Sequence, residues 1–375
     1  MKTVKGMNDL YGDNLCKFNY FKDTATTILS NLGYTEVITP VLEHTELFTR
    51  SIGTETEIVG KEMFSFNLYN RDYSLRPEST ASIARAYIEH GWEFDTTMQQ
   101  VYYLQPMYRY ERPQHGRQRE FYQLGTEMFG ESAYIDAFSI NNLVTIFNTL
   151  NIPVTLKINS IGNKEDRGNY IAKLVDYLSK YELPELVQHQ LNTNPLRILD
   201  SKDKQVQKLL TEAPIINYSL CRESAQYINK VLDNISVPFT IDPKLVRGLD
   251  YYNDTVFELV STDYTLAGGG RYDNLLSDLS NHKVNKGAFG WAIGVERVLD
   301  YISTRSRTLD HYVVCETEED LTYFLTQLHR YKSFNIKIDF SLSNLNKQIA
   351  RGKKLGAETI IKVSNKQEQE ICLSN

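Results

Sequence analysis

Residues 98–129 read MQQVYYLQPMYRYERPQHGRQREFYQLGTEMF. Apolar and polar side chains alternate on both flanks of RYERPQHGRQRE, with Pro113 and Gly116 near its middle. Period-two alternation around a polar stretch carrying Pro and Gly predicts a long antiparallel hairpin with an extended basic loop. On its second strand Gln123 and Glu127 share one face. The loop supplies Arg109, Arg112, Arg117 and Arg119, interleaved with Tyr108, Tyr110, Glu111 and Phe121. Guanidinium groups pair bidentately with phosphate, and a neighbouring aromatic ring stacks on a purine. The set therefore suits a nucleoside triphosphate, and equally an exposed, salt-bridged hairpin.

Upstream, residues 15–32 place apolar groups at helical spacing and Gly33 follows as a stop. In TEVITPVLEHTELF, Pro40 confines a strand to an edge, bulge or interface, and a short helix follows. Residues 63–76 predict two short strands around a turn at 70–72, and 79–91 a helix capped by Ser79 or Thr80. Downstream, 166–235 reads as a helical insert, with Tyr170, Leu174 and Leu178 at i, i+4, i+8. Strand signal returns at 236–242, 255–260 and 264–267, ahead of Gly268-Gly269-Gly270, and a helix is expected over 291–303. The polar STRSRTL, 303–309, reads as a linker. Residues 310–375 alternate strand and helix, as a small α/β module does. The fold class expected is α+β.

A length of 375 residues suggests two or three domains. With 41% hydrophobic and 23% charged residues, the chain is neither disordered nor fibrous. A net charge of −6 excludes a uniformly basic nucleic-acid coat while allowing local basic patches. No apolar run reaches the roughly 20 residues of a membrane helix, and the N-terminus lacks a signal core, so no membrane association and a cytoplasmic location are expected. The cysteines at 16, 221, 315 and 372 form no Cys-x-x-Cys pair, which argues against a zinc cluster or disulfide framework. Neither His-x-x-x-His nor Gly-x-Ser-x-Gly occurs, so metalloenzyme and serine-hydrolase readings lose support.

Three further segments carry candidate chemistry. LVRGLDYYNDTVFELV, 245–260, sets Arg247, Tyr251 and Tyr252 beside a glycine, which suits a guanidinium approaching a phosphoryl group or a turn packed by tyrosines. AGGGRYDN, 267–274, offers backbone that a flat ligand can approach, ahead of Tyr272. GWAIGVERV, 290–298, brings Arg297 just after Gly294. Glu78, Glu127 and Gln123 are acceptors suited to an amino group and an imidazole, or to pairing with the arginines.

Taken in order, KGMNDL, GYTEVITPVLEHTELF, LRPEST, MYRYERPQHGRQREFYQLGTEMFG, NPLRILDSK, LVRGLDYYNDTVFE, AGGGRYDNL and GWAIGVER resemble the histidyl-tRNA synthetases, a class II aminoacyl-tRNA synthetase family. The resemblance implies an antiparallel-sheet catalytic domain (1–165 and 236–305) flanked by helices and interrupted by the insert (166–235). It also implies an anticodon-binding-like module (310–375), shortened relative to the family. The implied reaction activates L-histidine with Mg2+-bound ATP and transfers it to the 3′ end of tRNA-His, in a homodimer.

By position, Arg109 would hold the α-phosphate, with Glu111 also at the ATP. Arg117 and Arg297 would hold the outer phosphates, Phe121 would stack on adenine, and Arg247 would be catalytic. Glu78, Thr80, Gln123, Glu127, Tyr251, Tyr252 and Tyr272 would surround histidine, and Gln114 and Arg119 would meet the tRNA acceptor end. Ser79, Gly287 and Lys5 depart from the family's usual Gly, Pro and Arg. Lys347, Arg351 and Lys354 lie on one helical face that suits an RNA backbone or simply solvent, the segment 310–375 carrying no net charge. The rival implied by resemblance is the histidine-sensing regulatory subunit of ATP phosphoribosyltransferase, a silent paralogue expected to lack the anticodon module and depart from RGLDYY.

Overall fold

The computed structural model describes residues 1–53, 56, 58–201, 203–262, 264–303 and 309–372, without the side chains of 186, 200 and 218. Most of the 303–309 stretch, read as a linker, lies outside the described residues. The strands in chain order are β1 (Thr35–Glu36), β2 (Leu42–His44), β3 (Ser65–Leu68), β4 (Arg71–Leu75), β5 (Gln100–Tyr108), β6 (Glu120–Phe129), β7 (Thr155–Ser160), β8 (Phe239–Ile241), β9 (Asn253–Val260), β10 (Thr265–Arg271), β11 (Ala288–Gly294), β12 (Leu309–Cys315), β13 (Ile336–Ile338), β14 (Ala357–Ser364) and β15 (Gln367–Cys372). The chain divides into two compact units, Met1–Leu10 with Phe18–Ile302, and Tyr11–Lys17 with Ser303–Asn375.

The first unit is built on a sheet of order β1-β5-β6-β11-β10-β9-β7-β8. Its centre is antiparallel, while β1 pairs with β5 and β7 with β8 in parallel, so the sheet is mixed at its edges. β5 and β6 form the expected hairpin, in register from Gln100–Met128 to Tyr108–Glu120. One face buries Leu124, Phe257, Phe289, Trp291 and Ile293 against Phe21, Ala25 and Leu29 of the helix Gly12–Asn31 and against Ile140 and Phe147 of the helix Ala133–Thr149. The other face packs Tyr103, Met107 and Val256 with the helix Thr80–Glu89 and with Tyr170, Leu174 and Leu178 of the helix Lys164–Leu178. The helical stretch after β7 thus shares a core with the sheet.

Several local expectations need correcting. The helix Thr80–Glu89 receives no capping hydrogen bond from Ser79. Instead the Glu78 carboxylate accepts from the backbone N–H groups of Thr80 at 2.8 Å and Ala81 at 2.9 Å, because an anion satisfies the orphan donors of a first turn better than a hydroxyl. The expected helix over 291–303 begins only at Val295. Phe289, Trp291 and Ile293 bury at period two in β11, with Gly290 and Gly294 on the opposite face. Likewise β10 runs through Gly268-Gly269-Gly270 to Arg271, since Gly269 lies too close to the Gly290 carbonyl and Trp291 to accept a side chain.

The second unit's sheet has the order β13-β12-β14-β15. β12 is parallel to both β13 and β14, as alternating strand and helix require, and Val313, Phe324, Ile361 and Val363 form its core. β15 was not foreseen; its QEQEIC sequence is an edge strand paired on one side only, with mostly polar side chains.

Behind the first sheet lies a closed ion pair. Arg271 and Asp136, 1% and 0% exposed, are joined by several hydrogen bonds, and Arg271 also donates to Asp273 at 2.7 Å and to the Gly130 carbonyl at 2.9 Å. Removing Asp136 leaves the buried Arg271 guanidinium with only Asp273 and the Gly130 carbonyl to balance it in low dielectric. Asp136→Ala is therefore expected to lose about 3–5 kcal/mol in urea unfolding, and a loss under about 1 kcal/mol would contradict this packing.

Candidate active site

On the face of the sheet opposite the helix Gly12–Asn31, alternate positions of three adjacent strands carry little or no side chain. These are Gly125 on β6, Gly290, Ala292 and Gly294 on β11, and Gly268 and Gly270 on β10, with Gly290 paired to both Glu127 and Gly270. Over this floor opens a cavity of about 980 Å³ including its mouth, a size suited to a small-molecule ligand. Its walls include Glu78, Thr80, Arg109, Glu111, Arg117, Phe121, Gln123, Arg247, Tyr251, Tyr252 and Arg297, drawn from four separated sequence segments.

Each guanidinium is fixed by a different part of the fold. Arg109 donates Nε to the Pro77 carbonyl at 2.9 Å and lies over the Phe121 ring, 5.3 Å from its centroid. Arg297 donates to the carbonyls of Gly116 and Thr265, both at 2.9 Å. Burial pushes its pKa down, and the neighbouring Arg117 and Arg109 add to the depression. Arg117 pairs with Glu111 at 3.3 Å. Arg247 donates to the Glu258 carboxylate and lies against Gly268, where a Cβ would collide with its guanidinium. Its Nε is buried with no hydrogen-bond partner among the described residues, as is Gln123 Oε1. Of the carboxyls lining the cavity, burial pushes Glu78 up, against its hydrogen bonds from Ala81 and Thr80, and pushes Glu296 up to about 7.

Not all expected residues reach the cavity. Glu127 and Tyr272, 1% and 2% exposed, stand behind its wall. The Tyr272 hydroxyl donates to Glu127 Oε2, and the hydroxyl of Thr80 donates to Glu127 Oε1 at 2.8 Å. Tyr251 packs between Tyr252 and Tyr272, with ring centroids at 4.6 and 5.5 Å. In the hairpin loop, Gln114 bridges Arg117 through backbone bonds. The Arg119 guanidinium sits 3.8 Å from the Tyr110 ring centroid and donates to the Glu111 carbonyl. Gly6 of KGMNDL accepts the Arg119 N–H at 2.7 Å, tying the N-terminal segment to the loop base.

In the second unit, Lys347 and Lys354 are exposed on the helix Leu345–Lys354, while Arg351 is bound by Asp339 at 2.7 Å and by Ser341 and Ser343. Among the described residues no group of three or more His, Cys, Asp or Glu side chains suits a metal ion. Sequence reasoning missed Tyr103 and Glu258. Glu258 had a signal, a carboxylate inside the otherwise apolar strand run VFELV.

A family model described as histidyl-tRNA synthetase matches residues 6–298. The chain is 41% identical over 392 aligned positions to a chloroplastic histidine–tRNA ligase of Pyropia yezoensis, covering 99% of this chain and 90% of that one. It is 40% identical to the histidine–tRNA ligase of Synechococcus elongatus, covering 95% and 86%. The solved apo histidyl-tRNA synthetase of S. aureus matches with a TM-score of 0.78 at 29% identity, over 100% of this chain and 97% of that one. On this combination of sheet, cavity and near full-length similarity, the chain belongs to the histidyl-tRNA synthetase family.

Proposed function

We propose that in this histidine–tRNA ligase the cavity above the glycine floor makes histidyl-adenylate from histidine and ATP, the latter entering as its magnesium complex, and then passes the histidyl group to the 3′ end of tRNA-His. The observation that carries this division of labour is the gathering of Arg109, Arg117, Arg247 and Arg297 around one cavity. Arg109 takes the α-phosphate, Arg117 and Arg297 the outer phosphates, and Phe121 with Glu111 the adenosine end. As a carboxylate oxygen of histidine attacks the α-phosphorus in line and pyrophosphate departs, negative charge gathers on the phosphoryl oxygens. Arg247, preorganised by Glu258 and keeping Nε unpaired, stabilises that charge without reorganising.

Glu78, Thr80, Gln123, Tyr251 and Tyr252 hold histidine. Glu127 and Tyr272 fix Thr80 and Tyr251 from behind. A side chain without imidazole donors and acceptors leaves such buried groups unpaired, and this is the source of selectivity. Gln114 meets the tRNA acceptor end, with Arg119 bracing the loop that presents it. Lys347 and Lys354, with Arg351 held between them by Asp339, offer positive charge to the RNA backbone. Leu42, Phe66 and Leu68 are exposed on one face of the β2-β4-β3 sheet, and Ile38 and Val41 are exposed just ahead of β2, apolar side chains that support a homodimer through this region. No helix among the described residues is long and apolar enough to cross a membrane, and we place the reaction in the cytosol or an organelle interior.

Histidine-dependent exchange of labelled pyrophosphate into ATP tests the reading. Arg247→Ala is expected to lower kcat at least about 100-fold with less than about a threefold change in histidine KM; a change confined to KM would contradict its phosphoryl role. The histidine wall makes a second, pH-based prediction. Burial pushes the Glu127 carboxyl from 4.5 up to about 8, against the hydrogen bonds from Tyr272 and Thr80. A carboxyl raised in the folded state adds stability that is fully present below its unfolded value and is lost as pH rises through the folded one. The Tm of the wild-type chain should therefore fall relative to Glu127→Gln between about pH 4.5 and 8 and diverge no further above it. Parallel curves across that window would contradict a neutral Glu127.

A further inference from the structure

The segment NPLRILDSK, 194–202, has no task in the reaction as proposed, yet two of its side chains reach the loop that bears Arg247. Asn194 Nδ2 donates to Asp250 Oδ1 at 3.0 Å, and Arg197 Nη2 donates to the Gly248 carbonyl at 2.6 Å. From the helix Lys164–Leu178, Arg167 Nη1 donates to the Tyr252 carbonyl, also at 2.6 Å. The loop between β8 and β9 has turns but no helix or strand over residues 245–252. The residue after Arg247 is Gly248, where an added Cβ would meet nothing within 4 Å and φ is not in the left-handed region. Local geometry thus does not require glycine there, and a glycine leaves the backbone free to move unless something outside the loop holds it. The contact to its carbonyl is a charge-assisted hydrogen bond, stronger than a neutral one.

We propose that Arg197, assisted by Asn194, is a positioning residue for Arg247, holding the Gly248 carbonyl so that the neighbouring guanidinium stays aimed across Gly268 into the cavity. The inference rests on the phosphoryl role given to Arg247. Electrostatic preorganisation requires placement within about 0.5 Å, and a small misplacement from outside the chemistry costs up to about 100-fold in rate. Arg109, Arg117 and Arg297 lie on other elements, so ATP affinity should not follow the loop. Loss of Arg197 should therefore appear in kcat and not in the KM for ATP.

Pyrophosphate exchange with the full chain tests this. Arg197→Ala is expected to lower kcat at least about tenfold with the ATP KM within about twofold, and Arg197→Lys, which keeps a cationic donor, to recover part of the loss. Asn194→Ala, which removes the single amide hydrogen bond to Asp250, should lower kcat by about threefold and serves if Arg197→Ala fails to fold. In an Arg247→Ala background, Arg197→Ala should cost less than about a further twofold, because its effect runs through the missing guanidinium. Unchanged kcat in both Arg197→Ala and Asn194→Ala would overturn the proposal. So would a loss expressed in the ATP KM, or one that multiplies undiminished in the Arg247→Ala background. Wild-type exchange by Arg247→Ala alone would instead overturn the role of Arg247, and the positioning role with it.

Discussion

The site depends on holding like charges together. Four guanidinium groups line one partly desolvated cavity, Arg247 and Arg117 paired with carboxylates and Arg109 and Arg297 held by backbone carbonyls. Most of the contacts that fix them are backbone carbonyls, at Pro77, Gly116 and Thr265, which orient a guanidinium without neutralising it. Glu258 behind Arg247 and Glu111 beside Arg117 are the carboxylates paired with them. A fold that spends stability in this way leaves a positive field that a triphosphate can satisfy, and local rules are commonly broken at functional sites for that reason.

Space is the second constraint, and the sheet supplies it. Strand register places Gly268 and Gly270, Gly290 and Gly294, and Gly125 on one face, next to Gln123 and Glu127. A Cβ at Gly268 would collide with the Arg247 guanidinium, one at Gly290 with the Glu127 carboxyl and one at Gly125 with the Tyr103 hydroxyl. The same strands bury Phe289, Trp291 and Ile293 on the other face, so one period-two pattern builds both the core and the floor. The helical stretch after β7 closes the arrangement by packing on the cavity side of the sheet and reaching the Arg247 loop.

Much of this was legible in the residues, and the failures have physical causes. The hairpin of β5 and β6 was readable because alternation is unbroken on both flanks of a turn-forming stretch. β11 was mistaken for the start of a helix because glycine and alanine on its cavity face hide the alternation that Phe289, Trp291 and Ile293 keep. Glu78 was read as a ligand acceptor, whereas its position two residues before the helix start also makes it the cap. The segments contributing Arg109, Arg117, Arg247 and Arg297 were identified, but depth was not: nothing in the spacing says that Glu127 and Tyr272 stand one layer behind Thr80 and Tyr251. The reach of Arg197 to Gly248 joins residues 51 apart with no periodic pattern to announce it.

The central claim is that the positive charge gathered by these arginines, more than shape, makes this cavity a triphosphate site. Calorimetric titration of magnesium–ATP into the wild-type chain and into Arg297→Gln, each at low and high ionic strength, tests it most directly. Arg297 is held by neutral carbonyls, so the substitution removes charge without stranding a carboxylate partner. The expected result is affinity at least about tenfold weaker in the variant and a smaller loss on adding salt, since one fewer charge is left to screen. Equal affinities with equal salt dependence would contradict the account.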